Sequence, residues 1–230
     1  MYQLLLSLLR SRLTAAGRAW LEQELVATVP GRPLDQILRA HTAASRHAGR
    51  GALQVTADEL ASVRALDPDL SLAQWTMDDA ARAVLLLAVA QASPSQFQDV
   101  ATACYDQGDA REQQSWLRAL PVFPQPDRFL STAIDACRTN IVPLFEAIAC
   151  ENPFPARYFP DRNFNQLVLK ALFNGIAMNR IVGLSGRLNQ ELARMAADYA
   201  AERRAAGRSV PPDIGAAMAP ATKDATQEAR

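Results

Sequence analysis

Lysine is almost missing from this sequence. Of 24 basic residues 22 are arginine, and the two lysines are Lys170 and Lys223. Such a skew, beside abundant alanine, suggests a GC-rich genome rather than a nucleic-acid surface. The 24 acidic residues bring the formal net charge to zero. Bulk attraction to nucleic acid or to an acidic membrane is therefore not indicated. Histidine is scarce too. His41 and His47 stand six apart on one helical pattern, whereas neighbours on a helix are three or four apart, so a metal role is not favoured. The three cysteines, Cys104, Cys137 and Cys150, show no CxxC or zinc spacing. Each falls on or beside the apolar side of a helical pattern, and they are expected as reduced, buried thiols, which fits the cytoplasm.

Long hydrophobic runs are absent as well. The opening MYQLLLSLLRSR lacks a basic stretch ahead of its short apolar run, so it is expected to be a packed helix rather than a leader. The most apolar internal run, Ala83 to Ala90, is far short of the roughly 20 residues a membrane span needs. No transmembrane segment is expected, and peripheral membrane contact is left open. GxGxxG, P-loop, GxSxG and HExxH motifs are all missing, and no cofactor or metal is implied.

What the sequence does have is helix. Thr56-x-x-Glu59 and Asp109-x-x-Glu112 are capping boxes, and Ser93-x-x-Gln96 with Pro94 reads as a third helix start. Thr76 followed by Asp78 and Asp79 opens another, with carboxylates suited to the helix dipole. No segment alternates with period two between turns, so no sheet is expected. Helical pairs begin near Thr76, Asp109 and Asn140, at spacings of 33 and 31. This predicts an all-α fold of about ten to twelve helices. The favoured arrangement is an α-α superhelix of stacked helical hairpins, as in HEAT or TPR arrays, and the alternative is an irregular bundle. A single helical domain is expected over residues 1–207, with N-terminal helices to 92 and a core from 93, followed by a disordered tail over 208–230.

The stretch from Asn140 to Leu184 organises the chain. Ile141, Leu144, Phe145 and Ile148 share one helical face, and Phe164, Leu167, Val168, Ala171 and Leu172 share another. Pro153, Pro155 and Pro160 lie between and argue against helix there. The second helix carries one narrow polar stripe, Asn163, Gln166, Lys170 and Asn174. Such a stripe is either a solvated strip or the lining of a cavity. Lys170 is the lone lysine in the part expected to fold, and Asn165 falls inside the apolar arc, where a buried amide needs partners. Arg138, Asn140, Glu146, Asn152, Asn165 and Lys170 are the candidate binding residues, with Lys170 expected to pair with Glu146.

The same stretch resembles the EboA family. The resemblance is carried by Arg138-Thr139-Asn140, Phe145-Glu146-Ala147, Glu151-Asn152-Pro153-Phe154-Pro155-Ala156, Tyr158-Phe159 and Asn165-Gln166-x-Val168-Leu169-Lys170-Ala171-Leu172-Phe173. It is densest over residues 109–206. The family is bacterial, is named for metabolite traffic and is encoded in a small operon. The resemblance implies a part in making or moving a secondary metabolite precursor, with other proteins of the operon or a small polar metabolite as partner. It implies no catalytic motif. A non-catalytic binding or scaffold role is the favoured reading. The alternative is a small-molecule enzyme using Glu146 and Lys170 as an acid/base pair.

Overall fold

The computed structural model describes residues 1–218 of the chain, all of it helix and connecting loop; among the described residues there are thirteen α-helices and no strand. The all-α expectation holds. The chain divides into two compact units, one of Met1–Asn152 and one beginning at Pro153. The break falls later than the internal boundary expected after residue 92.

The first unit holds α1 (Tyr2–Arg12), α2 (Ala15–Ala27), α3 (Leu34–Ala48), α4 (Ala57–Leu66), α5 (Met77–Ala92), α6 (Phe97–Asp106), α7 (Ala110–Ala119), α8 (Leu130–Ala136) and α9 (Val142–Ala149). Helix α5 is its hub. Every residue from Met77 to Val89 is buried, because the run from Ala83 is apolar on all sides and Asp78, Asp79 and Arg82 ahead of it find charged partners within the fold. Helices α1, α3 and α7 pack against it, and α9 packs in turn on α7. An aromatic cluster fills the space beside α7: Trp116 meets Phe129 edge-on at 5.2 Å and Phe123 at 5.7 Å.

Two capping boxes form as the sequence predicts. Thr56 N–H donates to Glu59 at 2.8 Å, and Asp109 N–H to Glu112 at 2.9 Å. The third expected start does not hold: Ser93 to Gln96 is a turn, and α6 begins at Phe97.

The second unit holds α10 (Phe154–Tyr158), α11 (Asp161–Phe173), α12 (Gln190–Ala205) and α13 (Gly215–Met218). Helix α10 lies where three prolines argued against helix. Pro155 sits in its first turn, where the missing N–H would have had no helical partner. Asn189 caps α12 by accepting from Leu192 N–H at 2.8 Å. The chain past residue 207 is packed rather than free: Asp213 accepts from Met178 N–H at 2.6 Å, and Ile214 and Ala217 are buried. The remainder of the expected tail, 219–230, lies outside the described residues. No helix among the described residues is long and apolar enough to cross a membrane.

Candidate functional site

The largest concentration of buried charge lies where α5 meets α7 in the first unit. Asp78, Asp79 and Ser115 are wholly buried and Arg82 is 2% exposed. Burying charge is unfavourable unless every charge is paired and hydrogen-bonded. Here the carboxylates are. Arg111 grips Asp78 with two parallel bonds, Nε to Oδ2 at 2.8 Å and Nη2 to Oδ1 at 2.7 Å. Arg82 Nη1 donates to the same Asp78 Oδ2 at 2.8 Å and to Ser115 Oγ at 2.9 Å, and Thr76 Oγ1 donates to Asp78 Oδ1 at 2.7 Å. Asp79 accepts from Ser115 Oγ at 2.6 Å, from Arg118 at 2.9 Å and from Thr76 N–H at 2.9 Å. The residues converge because Asp78 and Arg82 are one turn apart on α5, while Arg111, Ser115 and Arg118 form a single stripe on α7.

This lattice underlies a cleft of about 660 Å³ between α3, α6 and the start of α7, a volume in the range of small-molecule sites. Arg82, His41 and Cys104 belong to its buried wall, and Arg82 is held further by donating its Nε–H to the His41 carbonyl at 3.1 Å. Arg39, Arg46 and Arg50 form an exposed rim. Five arginines against two carboxylates line the cleft, whereas the whole chain carries no net charge. The two carboxylates, Asp109 and Glu112, are spent on the backbone N–H groups of the α7 cap. The wall is tight at Gly108, where a Cβ would come within 2.7 Å of the Cys104 carbonyl.

The titratable groups of the wall are held away from reactive forms. Burial, reinforced by the Arg82 charge, pulls His41 down to about 3, so its imidazole is neutral at physiological pH. Burial pushes the Cys104 thiol up to about 12. Burial works to raise Asp78 as well, but the bonds from Arg111, Thr76 and Arg82 outweigh it and hold the carboxyl below its ordinary value. His41 Nε2 is buried with no hydrogen-bond partner among the described residues. Also among them, no group of three His, Cys, Asp or Glu is placed to hold a metal ion.

The residues singled out from sequence fall elsewhere. In the first unit, Arg138 is exposed and pairs with neighbouring Asp135 at 2.6 Å, and Asn140 is exposed. Asn152 is buried and donates to the carbonyls of Leu117 at 2.9 Å and Ala147 at 3.0 Å, tying the end of α9 to α7. Glu146 is half-buried on α9. In the second unit, Lys170 is half-buried on α11. Asn165 is buried, as its wheel position required, and its amide exchanges two bonds of 3.0 Å with Asn189. Asn165 and Asn152 thus each hold two segments of their own unit together.

Sequence reasoning read Asp78 and Asp79 only as partners of the helix dipole. Two signals pointed further. Arg82 interrupts a run that is apolar all round, and Arg111, Ser115 and Arg118 recur at spacings of four and three. Each stripe needs the other.

The family model described as "Metabolite traffic protein EboA" matches residues 1–219. No curated protein and no solved structure gives a match. The match extends from the N-terminal helices that build the cleft, through the region 109–206 where the resemblance is densest, and on this breadth the chain belongs to the EboA family of metabolite traffic proteins.

Proposed function

We propose that this chain is a non-catalytic binding protein of the bacterial cytoplasm, that it supports the synthesis or movement of a secondary metabolite precursor, and that the arginine-rimmed cleft of the first unit holds the metabolite. The observation that carries binding over catalysis is the state of the wall. A general base works best with a pKa near the operating pH, and a nucleophilic thiol needs a lowered one. His41 lies at about 3 and Cys104 at about 12, so neither is poised for chemistry. The carboxylates beneath are locked by arginines, which makes a rigid, preorganised surface. Glu146 on α9 of the first unit and Lys170 on α11 of the second remain in the proposal, each in its own unit, as polar contacts for a partner protein of the same operon.

The test is complementation of a deletion strain, with metabolite profiling beside thermal unfolding. Thr42→Trp places a bulky ring in the cleft from an exposed position on α3. The variant is expected to unfold at the wild-type temperature, to lose whatever small molecule mass spectrometry finds bound to the native protein, and to fail to restore metabolite output. Full restoration by Thr42→Trp removes the cleft from the function. Lys170→Met and Glu146→Gln, tested alongside, report whether those two residues serve output or only stability.

A further inference from the structure

Resting on the reading of the cleft as the ligand site, we infer that its occupant is a phosphorylated small molecule, with the phosphoryl group held at the rim by Arg46 and Arg50 and the organic part lying over the wall formed by His41 and Cys104. Four observations combine. First, the lining carries an excess of three positive charges, five arginines against Asp109 and Glu112, in a chain of zero net charge. Second, the arginines differ in commitment. Arg82 and Arg111 are engaged by Asp78, and Arg39 pairs with Asp35 at 2.6 Å, whereas Arg46 and Arg50 have no ion pair among the described residues. The uncommitted pair lies one helical turn apart in sequence, at the end of α3 and just beyond it. Guanidinium groups match phosphate oxygens in forked geometry. A phosphoryl group with close to two negative charges answers two free cations, where a monocarboxylate answers one.

Third, the carboxylates that would repel such an anion are engaged elsewhere: Asp109 and Glu112 accept from backbone N–H groups at the α7 N-terminus, and Asp78 is gripped from three sides. Fourth, the wall contains an unmet polar atom, His41 Nε2, buried without a partner among the described residues. Such atoms are rare in native proteins because they cost free energy. A rotation of the imidazole toward the cleft gives it an oxygen of the ligand as partner. At about 660 Å³ the cleft has room for the phosphoryl group and an organic part of drug-like size.

The experiment titrates the full chain with inorganic pyrophosphate, with citrate and with a neutral sugar, by calorimetry and thermal shift, at low and at physiological salt. Pyrophosphate is expected to bind and to raise the unfolding temperature. Its affinity should fall by about tenfold or more in the Arg46→Gln, Arg50→Gln double variant, a loss of about one charge-assisted pair. It should fall likewise in Thr42→Trp and stay unchanged in Arg10→Gln, which removes an exposed arginine that does not line the cleft. His41→Phe keeps the shape of the wall and should show a smaller stabilisation by pyrophosphate than wild type. Equal binding of pyrophosphate by the double variant and the wild type overturns the assignment, as does a preference for citrate over pyrophosphate. If no anion binds while Thr42→Trp still abolishes co-purification of a metabolite, the phosphate class falls and the cleft stands. If Thr42→Trp changes neither, both fall.

Discussion

The two units solve the same problem in opposite ways. In the first, charge is buried against charge: two aspartates and three arginines from α5 and α7 meet side chain to side chain. In the second, one arginine meets backbone. Arg187 donates to the carbonyls of Ala156 at 2.5 Å and Phe159 at 2.7 Å, pairs with Asp161 at 2.9 Å and lies over the Phe164 ring at 4.8 Å. It satisfies the C-terminal end of α10, where the carbonyls have no helical partner. Gly183, with φ of 72°, brings its loop so close that a Cβ there would fall 2.6 Å from the Ala156 side chain. A carbonyl left without a donor can turn to water; a buried carboxylate cannot. The first arrangement should therefore be brittle and the second forgiving.

Asp78→Ala breaks the comparison open. It leaves Arg82 charged and buried, and the first unit should lose on the order of 3–5 kcal/mol in urea unfolding. The double variant Asp78→Leu, Arg82→Met should lose less than the sum of the single changes, since it no longer leaves Arg82 as a buried charge without its carboxylate. A sum that is simply additive would mean the two charges are not coupled.

Acid should act next. The folded value of His41 is depressed to about 3 from an ordinary 6.5, so between those values the unfolded chain takes a proton that the folded one refuses. Stability is then full above the ordinary histidine value and is lost as pH falls through this window, by at most about 1.4 kcal/mol per pH unit. Asp78, depressed as well, adds a loss below the ordinary carboxylate value. Wild type and His41→Phe should therefore diverge in midpoint between pH 6 and 4, with His41→Phe flatter; parallel curves would show that His41 titrates normally.

Arg187→Met should cost about 1–3 kcal/mol, for part-buried carbonyls that lose their donors but carry no full charge. A loss as large as that of Asp78→Ala would erase the contrast between units. The smallest effect belongs to Arg138→Ala: it and its partner Asp135 are both exposed, and thermal unfolding should shift by no more than about 0.5 kcal/mol allows.

The sequence made the helices legible because caps and apolar periodicity are local. Thr56, Asp109 and Asn189 each announce a helix within three residues, and the buried face of α11 was readable in full, Asn165 included. Ile141 was misplaced: it reads as part of an apolar face but is 48% exposed, since α9 begins one residue after it. The lattice was hidden for a different reason. Asp78 finds Arg111 33 residues away and Asp79 finds Arg118 39 residues away, and no local pattern announces such a meeting.

Those separations also set an order of events during synthesis. When α5 leaves the ribosome, Asp78 and Asp79 are present and their partners on α7 are not. At typical elongation rates the interval is roughly two to eight seconds. For that time a helix that the finished fold buries along most of its length has no settled place, and the N-terminal helices have no finished hub to close upon. Consolidation of the first unit must wait for Arg118, just past the midpoint of the chain, which makes the nascent α5 the segment most in need of shelter while the protein is being made.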